Sequence, residues 1–176
     1  PNAEALEKGL PNLLCHIKNI TQGFGLPAVV AINRFPTDTE EELQLVYNRC
    51  KELGVNVALS EVWAKGSQGG QELAQEVIRL AEQPKGELHF TYDVKESIQD
   101  KIKAIAAKIY GAAGVDYAPS ALKEIKQLEQ LGYAELPICM AKTQYSFSDD
   151  PSKLGAPEGF NITINRVKVS AGAGFI

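Results

Sequence analysis

A chain of 176 residues is long enough to enclose one hydrophobic core, or one domain and part of a second. Its formal net charge of −4 argues against a surface that binds nucleic acid or an acidic membrane leaflet, although a small anion could still bind locally. No apolar run reaches the length that spans a bilayer, and no secretory signal pattern opens the sequence, although a truncated chain could have lost one. We therefore expect neither a nucleic-acid nor a membrane partner.

The cysteines indicate a reducing compartment. Cys15, Cys50 and Cys139 are odd in number, widely spaced and set among apolar residues, which is typical of reduced, buried thiols in a cytoplasmic protein. Cysteine and histidine spacings that suit zinc are missing, and the two histidines, His16 and His89, lie far apart in sequence. The sequence therefore predicts no metal site, and no nucleophile motif for a Ser-His-Asp triad is recognisable.

Apolar periodicity and breaker residues predict that helices and strands alternate, which indicates the α/β class. In chain order the pattern predicts a helix over 3–23, a strand over 27–33, a helix over 38–53, a strand over 55–59, a helix over 69–82, a strand over 88–92, helices over 98–109 and 120–131, and a strand over 137–141. We expect these strands to form a largely parallel sheet with flanking helices.

A change of composition near Lys142 predicts a boundary. Residues 142–159 are polar and rich in Pro and Gly, and the last stretch, "NITINRVKVSAGAGFI", alternates apolar and polar residues as a strand or hairpin does. We therefore expect an α/β domain over 1–141, followed over 142–176 by a functional loop and the start of a β-containing portion.

The clearest local pattern is a βαβ unit near the start of the chain. Ala28–Ile32 is a short apolar strand, Thr37 and Glu40 have the spacing of a capping box, Gly54 is a plausible helix terminator, and Val55–Leu59 is a second strand. Both strands of such a unit run in the same direction. The residues that follow them share the carboxyl edge of the sheet, where open α/β folds bind ligands.

Two aromatic residues follow these strands. Phe35 and Trp63, the only tryptophan, each lie just beyond a strand in a turn that contains Pro or Gly. Two flat apolar faces at one edge suit a flat ligand, whereas the alternative is that both rings fill the space between sheet and helices. Asn33 ends the first strand, where its amide could bind a nucleotide base edge or cap the following turn.

The loop over 142–159 is a second candidate site, because its length is unusual for a connector. Lys142 and Thr143 directly follow a predicted buried strand, where a cation and a hydroxyl can reach a phosphate or carboxylate. Tyr145 and Ser146 offer further hydrogen-bond donors. The alternative is a surface crossover with a solvated turn.

Six strings distributed over nearly the whole chain carry a resemblance to a known family. They read "NLLCHIKNI" with "FGLPAVVAINRFPTDTEEEL", "EVWAKG", "DKIKAIAAKIYGA", "LPICMAKTQYSFSDDP" and "GFNITINRVKVSAGAGF". With these strings the sequence resembles the formate–tetrahydrofolate ligases, also called 10-formyltetrahydrofolate synthetases. This distributed coverage is more specific than any single short motif.

The resemblance implies a substrate and a place for it. Enzymes of this family make 10-formyltetrahydrofolate from formate, tetrahydrofolate and MgATP through formyl phosphate, and they hold the folate ring between aromatic side chains. Carried over residue by residue, this puts the pterin between Phe35 and Trp63, with Pro36 and Leu59 completing an apolar slot. Lys65 could pair with a folate carboxylate or remain solvated.

The resemblance also implies a fold like that of P-loop NTPases, small-molecule substrates and a homo-oligomer in the full enzyme. The resemblance also favours a role for the loop over 142–159 in lining the nucleotide and folate cleft. The possible lining residues are Asn33, Lys142, Thr143, Tyr145 and Ser146. No catalytic residue is assigned in this chain.

The family's phosphate-binding loop, a Gly-rich turn ending in Lys and Ser or Thr, is missing from the sequence. The closest strings, "GSQGGQ" over 66–71 and "AGAGF" over 171–175, lack the lysine and are expected to be turns or sites of close backbone packing. We therefore expect a carboxyl-terminal fragment, about a third of the enzyme, that is inactive alone and requires no cofactor. The alternative is a non-catalytic binding or structural module of the same fold.

Overall fold

Contacts within the chain are concentrated in two units, Pro1–His89 and Phe90–Ile176, in a computed structural model that describes residues 1–84, 86–142 and 144–176. The contacts place the division between His89 and Phe90, whereas the sequence predicts one at 141/142. The second unit therefore includes the described residues of the range 142–176.

The first unit contains the predicted βαβ arrangement. Its strands β1 and β2 pair in parallel, with Val29 opposite Asn56 at one end and Asn33 opposite Ser60 at the other. The elements in chain order are α1 (Ala3–Lys18), a π-helical turn (Asn19–Gly23), β1 (Val29–Asn33), α2 (Glu40–Glu52), β2 (Asn56–Ser60), α3 (Val62–Lys65), a 3₁₀ turn (Gly66–Gly70) and α4 (Gln71–Ala81). This pairing confirms the parallel βαβ unit.

Local signals explain where α2 begins and ends. Thr39 is its N-cap, and the Thr39 hydroxyl and the Glu42 carboxylate form a capping box, so the prediction that Thr37 caps the helix with Glu40 is wrong. Thr37 cannot serve because it lies inside a turn closed by a bond from the Asp38 amide to the Phe35 carbonyl oxygen. At the other end Gly54 adopts a φ of 70°, as the terminating position requires.

The second unit also contains one parallel pair of strands. Gly114 lies opposite Asn161 at one end of this pair, and Tyr117 lies opposite Ile164 at the other. The elements are α5 (Ile98–Lys108), β3 (Gly114–Tyr117), α6 (Pro119–Gln130) and β4 (Asn161–Ile164). The core is formed by Ile98, Ile102, Ala106, Ala112, Ala121, Ile125, Leu128, Phe160, Ile162, Ile164 and Ile176.

The mixed α/β class with flanking helices is confirmed, but the predicted strands over 88–92 and 137–141 are wrong. Neither range is a strand, and each described unit holds a two-stranded sheet rather than part of one larger sheet. In the second range Cys139 donates to the carbonyl oxygen of Ile176, and Ile176 donates to that of Pro137, over 2.7 and 2.9 Å. These two bonds are not assigned as a strand pair in the structure. β3 is a strand that the sequence pattern does not predict. Of the thiols expected to be buried, Cys50 is buried, whereas Cys139 is exposed.

Candidate functional site

The candidate site of the first unit lies at the carboxyl edge of β1 and β2. Asn33 and Ser60, the last residues of the two strands, are paired, and the Arg34 amide donates to the Ser60 carbonyl oxygen over 3.0 Å. The two segments that leave β1 and β2 therefore remain hydrogen-bonded for one residue beyond the last strand pair. The loops that carry Phe35 and Trp63 begin as neighbours, as the parallel register predicts.

Phe35 is the first residue of a tight turn. Its amide donates to the Asp38 carboxylate over 2.8 Å, and its carbonyl oxygen accepts from the Asp38 amide over 3.0 Å. Pro36 occupies the second position of this turn, which a proline ring favours because it fixes φ. The turn holds Phe35 with 47% of the residue exposed, and Pro36 is exposed as well.

Trp63 lies on α3, a single helical turn of four residues directly after β2. The Glu61 carbonyl oxygen starts this turn by accepting from the amides of Ala64 and Lys65 over 3.0 and 2.9 Å. Trp63 is 68% exposed, so neither it nor Phe35 fills the core of its unit. Both rings therefore present aromatic surface that a ligand or partner at this edge can contact.

The remaining first-unit candidates lie on or next to the strands. Leu59 is half-buried in β2 opposite Ile32, and Asn33 is exposed at the end of β1. The edge therefore presents apolar side chains from the strands and loops together with one exposed amide. Such a mixture suits a planar heterocycle with polar edges.

Cations flank both aromatic residues, and each has a carboxylate partner. The Arg34 guanidinium lies 2.5 Å from the Glu40 carboxylate, and the Lys65 ammonium lies 2.5 Å from that of Glu61. The Lys65 hydrogen bond lowers the pKa of Glu61, and the charges of Lys65 and Arg34 act in the same direction. An anionic ligand would therefore have to compete with Glu61 for Lys65.

The second-unit loop directs its lysine inward. The Lys142 ammonium donates to the backbone carbonyl oxygens of Ser146 and Ser148, and it lies 5.2 Å from the centre of the Tyr110 ring. Burial lowers the pKa of Lys142, while the negative charge of Asp149 opposes that change. The lysine therefore stabilises its own loop in this conformation.

The serine hydroxyl groups of this loop also form hydrogen bonds within the loop. Ser146 and Ser148 are buried, and their hydroxyl oxygens accept from the amides of Ser148 and Asp150 over 3.0 Å each. Tyr145, in contrast, is 59% exposed. Thr143 lies outside the described residues. Among the described candidates of this loop, Tyr145 alone presents most of its surface to solvent.

A family model described as formate–tetrahydrofolate ligase matches residues 1–176. The chain belongs to this family. The match confirms the resemblance carried by the six sequence strings. Formate–tetrahydrofolate ligases are ATP-dependent and use formate and tetrahydrofolate as substrates.

The second unit also contains a buried cation that the sequence pattern does not predict. Lys101 is fully buried on α5, and its ammonium donates to the carbonyl oxygens of Val94, Ala134 and Leu136 over 3.1, 2.5 and 2.7 Å. Burial lowers the pKa of Lys101, and the charges of nearby glutamates oppose this. The signal was a lysine within the apolar stripe of α5, where a solvated side chain does not fit.

Among the residues that the structure describes, no group of three or more His, Cys, Asp and Glu side chains could hold a metal ion. No helix within 1–84, 86–142 or 144–176 is both long and apolar enough to cross a bilayer.

Proposed function

We propose that this chain supplies the tetrahydrofolate-binding surface of formate–tetrahydrofolate ligase, with the pterin ring stacked between Phe35 and Trp63. The observation that carries the proposal is the exposure of both aromatic residues on adjacent loops at one sheet edge. The pairing of Asn33 with Ser60 gives the two loops a common origin.

Stacking supplies both binding energy and orientation. A planar ring between two aromatic faces gains dispersion contacts on each side, and each face needs about 3.5–4 Å. Pro36 and Leu59 then form the apolar border of the slot. Asn33, exposed at the end of β1, can offer its amide to polar atoms on the ring edge.

The chemical role that follows is positioning. In the overall reaction formate attacks the γ-phosphoryl group of ATP to give formyl phosphate and ADP. The N10 amine of tetrahydrofolate then attacks the formyl carbon, and phosphate leaves as the amine loses its proton. A slot that fixes the pterin sets the direction from which N10 reaches the mixed anhydride, and such orientation lowers the barrier by reducing the entropy lost on reaction.

The 176-residue chain is proposed to be inactive alone, because neither of its glycine clusters has the form of a phosphate loop. Gly66–Gly70 is a 3₁₀ turn, and the second cluster is a tight turn closed by the antiparallel bridge between Ser170 and Phe175. Lys142, which lies where a cation could reach a phosphate or carboxylate, donates to backbone carbonyl oxygens of its own loop. The nucleotide-binding arrangement of the family, with its Mg²⁺, is therefore assigned to residues outside this sequence.

Direct titration with tetrahydrofolate tests the proposal. Trp63 is the only tryptophan, so a pterin stacked on its ring should quench the fluorescence of the chain in a saturable manner. A calorimetric titration should give the same dissociation constant, and MgATP should not compete. Failure of tetrahydrofolate to bind, or calorimetric binding that leaves Trp63 emission unchanged, would contradict the proposal. The second result would favour a binding module with its site elsewhere.

A further inference from the structure

We propose that Gly69 is a positioning residue for Trp63: the absence of a side chain at Gly69 lets the 3₁₀ turn press against the backbone that starts α3. The proposal deepens the tetrahydrofolate site and rests on the proposed function only for its effect on binding. Its effect on the tryptophan itself does not depend on any ligand.

The contact between Gly69 and Glu61 is a backbone contact on both sides. The Glu61 amide donates to the Gly69 carbonyl oxygen over 2.9 Å. A methyl group at Gly69 would overlap the carbonyl group of Glu61 and would lie 2.9 Å from the amide nitrogen of Val62. These atoms are backbone, which cannot swing aside as the end of a flexible side chain can. An alanine at this position therefore requires the two segments to separate.

Any separation would be transmitted directly to Trp63. The Glu61 carbonyl group, against which Gly69 packs, is the acceptor for the amides of Ala64 and Lys65. These two hydrogen bonds close the turn that bears Trp63. Movement of the Glu61 carbonyl group therefore changes the position of the indole, although Gly69 lies six residues further along the chain.

The turn is short, and a bond from the Gly66 amide to the Val62 carbonyl oxygen closes its other end. α3 has only four residues, and its N-cap position, Glu61, makes no side-chain capping bond. An isolated helical turn is unstable in water, because nucleation costs more than a single turn recovers. The Glu61–Lys65 ion pair spans the turn, but a Lys65 side chain that is 57% exposed contributes little. The backbone contact with Gly69 adds a constraint from outside the turn, on the carbonyl group that starts it.

The test compares Gly69→Ala with Gly9→Ala as the matched control. Gly9 lies in α1, and a methyl group there would meet no atom within 4 Å. Circular dichroism establishes that each variant is folded. The readouts are the fluorescence anisotropy of Trp63 without ligand, and the dissociation constant for tetrahydrofolate by calorimetry.

In Gly69→Ala the fluorescence anisotropy of Trp63 should fall, because a released turn frees an indole that is already mostly exposed. Tetrahydrofolate affinity should fall about tenfold, the scale of losing most of one aromatic contact. Gly9→Ala should match the wild type in both readouts. Unchanged Trp63 anisotropy in folded Gly69→Ala would overturn the inference, even if the wild type binds tetrahydrofolate.

The experiments distinguish failure of the tetrahydrofolate site from failure of the positioning role of Gly69. If the wild type does not bind tetrahydrofolate while Gly69→Ala lowers Trp63 anisotropy, the folate site is wrong and the positioning role stands. If Gly69→Ala does not fold, Gly70→Ala becomes the test of the positioning role. Its methyl group would lie 3.0 Å from the Val62 side chain, a milder steric contact with α3. A smaller fall in Trp63 anisotropy in Gly70→Ala supports the inference, and an unchanged anisotropy overturns it.

Discussion

Asn33 and Ser60, the last residues of two parallel strands, lie opposite one another at the carboxyl edge of the first unit. Phe35 follows the first of them by two positions, and Trp63 follows the second by three. The Arg34 amide continues the pairing by bonding to the Ser60 carbonyl oxygen. The register of two strands thus gives the two exposed aromatic residues a common origin, and the proposed folate site depends on this register.

Replacing Trp63 with alanine should weaken tetrahydrofolate binding by about 1–3 kcal/mol, because one stacking face and its buried area are lost. Trp63→Phe should recover part of this loss, since it keeps a smaller flat ring. Calorimetric titration of the variants gives the affinities. MgATP affinity of a full-length enzyme should change little.

Tyr47→Ala is the control for Trp63→Ala. Tyr47 is an aromatic residue of similar exposure to Phe35, on α2 of the same unit, and it is assigned no contact with the folate. Its removal should leave tetrahydrofolate affinity unchanged. If Trp63→Ala unfolds the chain and Trp63→Phe binds tetrahydrofolate as the wild type does, Trp63 is a packing residue and the stacking assignment is lost.

The 176-residue chain alone should show no formate–tetrahydrofolate ligase activity, because no described group in it is arranged to hold a triphosphate and its Mg²⁺. The measurement is the appearance of 10-formyltetrahydrofolate with purified chain, formate, tetrahydrofolate and MgATP. A full-length family member under the same conditions is the positive control. Production of 10-formyltetrahydrofolate that requires both ATP and formate would refute this prediction.

Lys101→Met should lower the free energy of unfolding by on the order of 3 kcal/mol, because three backbone carbonyl oxygens lose a buried cationic donor. Lys103→Met is the matched control on the same helix. Lys103 is 60% exposed and pairs with Asp100 over 3.4 Å, so its loss should cost less than about 1 kcal/mol. Urea denaturation measures both, and equal effects would show that the Lys101 network is not stabilising.

The Glu76 carboxylate should make the free energy of unfolding depend on pH in the acidic range. Hydrogen bonds, first from Arg79 and then from Asn56, lower the pKa of Glu76 from 4.5 to about 2. The unfolded chain takes up this proton at higher pH than the folded chain, so the stabilisation is present above the unfolded pKa and is lost as the pH falls through the folded one.

A Glu76→Gln variant isolates this contribution. The difference in free energy of unfolding between wild type and variant should shrink as the pH falls from about 5 to about 2. Urea denaturation across this pH range measures it. A difference that stays constant would mean that the ion pair does not persist in solution.

Local signals made the first unit predictable. The strand, helix and strand of the βαβ unit follow from apolar periodicity and from Gly54, whose positive φ ends α2. The carboxyl edge and both aromatic positions then follow from strand direction alone. The capping residue was misplaced by two positions, because the turn closed by Asp38 and Phe35 was not recognised.

Non-local contacts explain the failures. Apolar runs at 88–92 and 137–141 resemble strands, but a strand also needs a partner, which a single run does not specify. For Lys142 the sequence allows either a cation near a ligand or a surface crossover, and the structure shows its ammonium donating to carbonyl oxygens of its own loop. The sequence pattern does not predict the burial of Lys101, since its acceptors lie 7 to 35 residues away in sequence.

The most direct test of the folate site is a crystal structure of this chain with tetrahydrofolate bound. We expect the pterin ring between Phe35 and Trp63, about 3.5–4 Å from each ring face, so that the two side chains stand roughly 7–8 Å apart. The binding loops can adjust to reach this spacing. A pterin bound elsewhere, or one that contacts neither aromatic ring, would contradict the assignment even though the family membership stands.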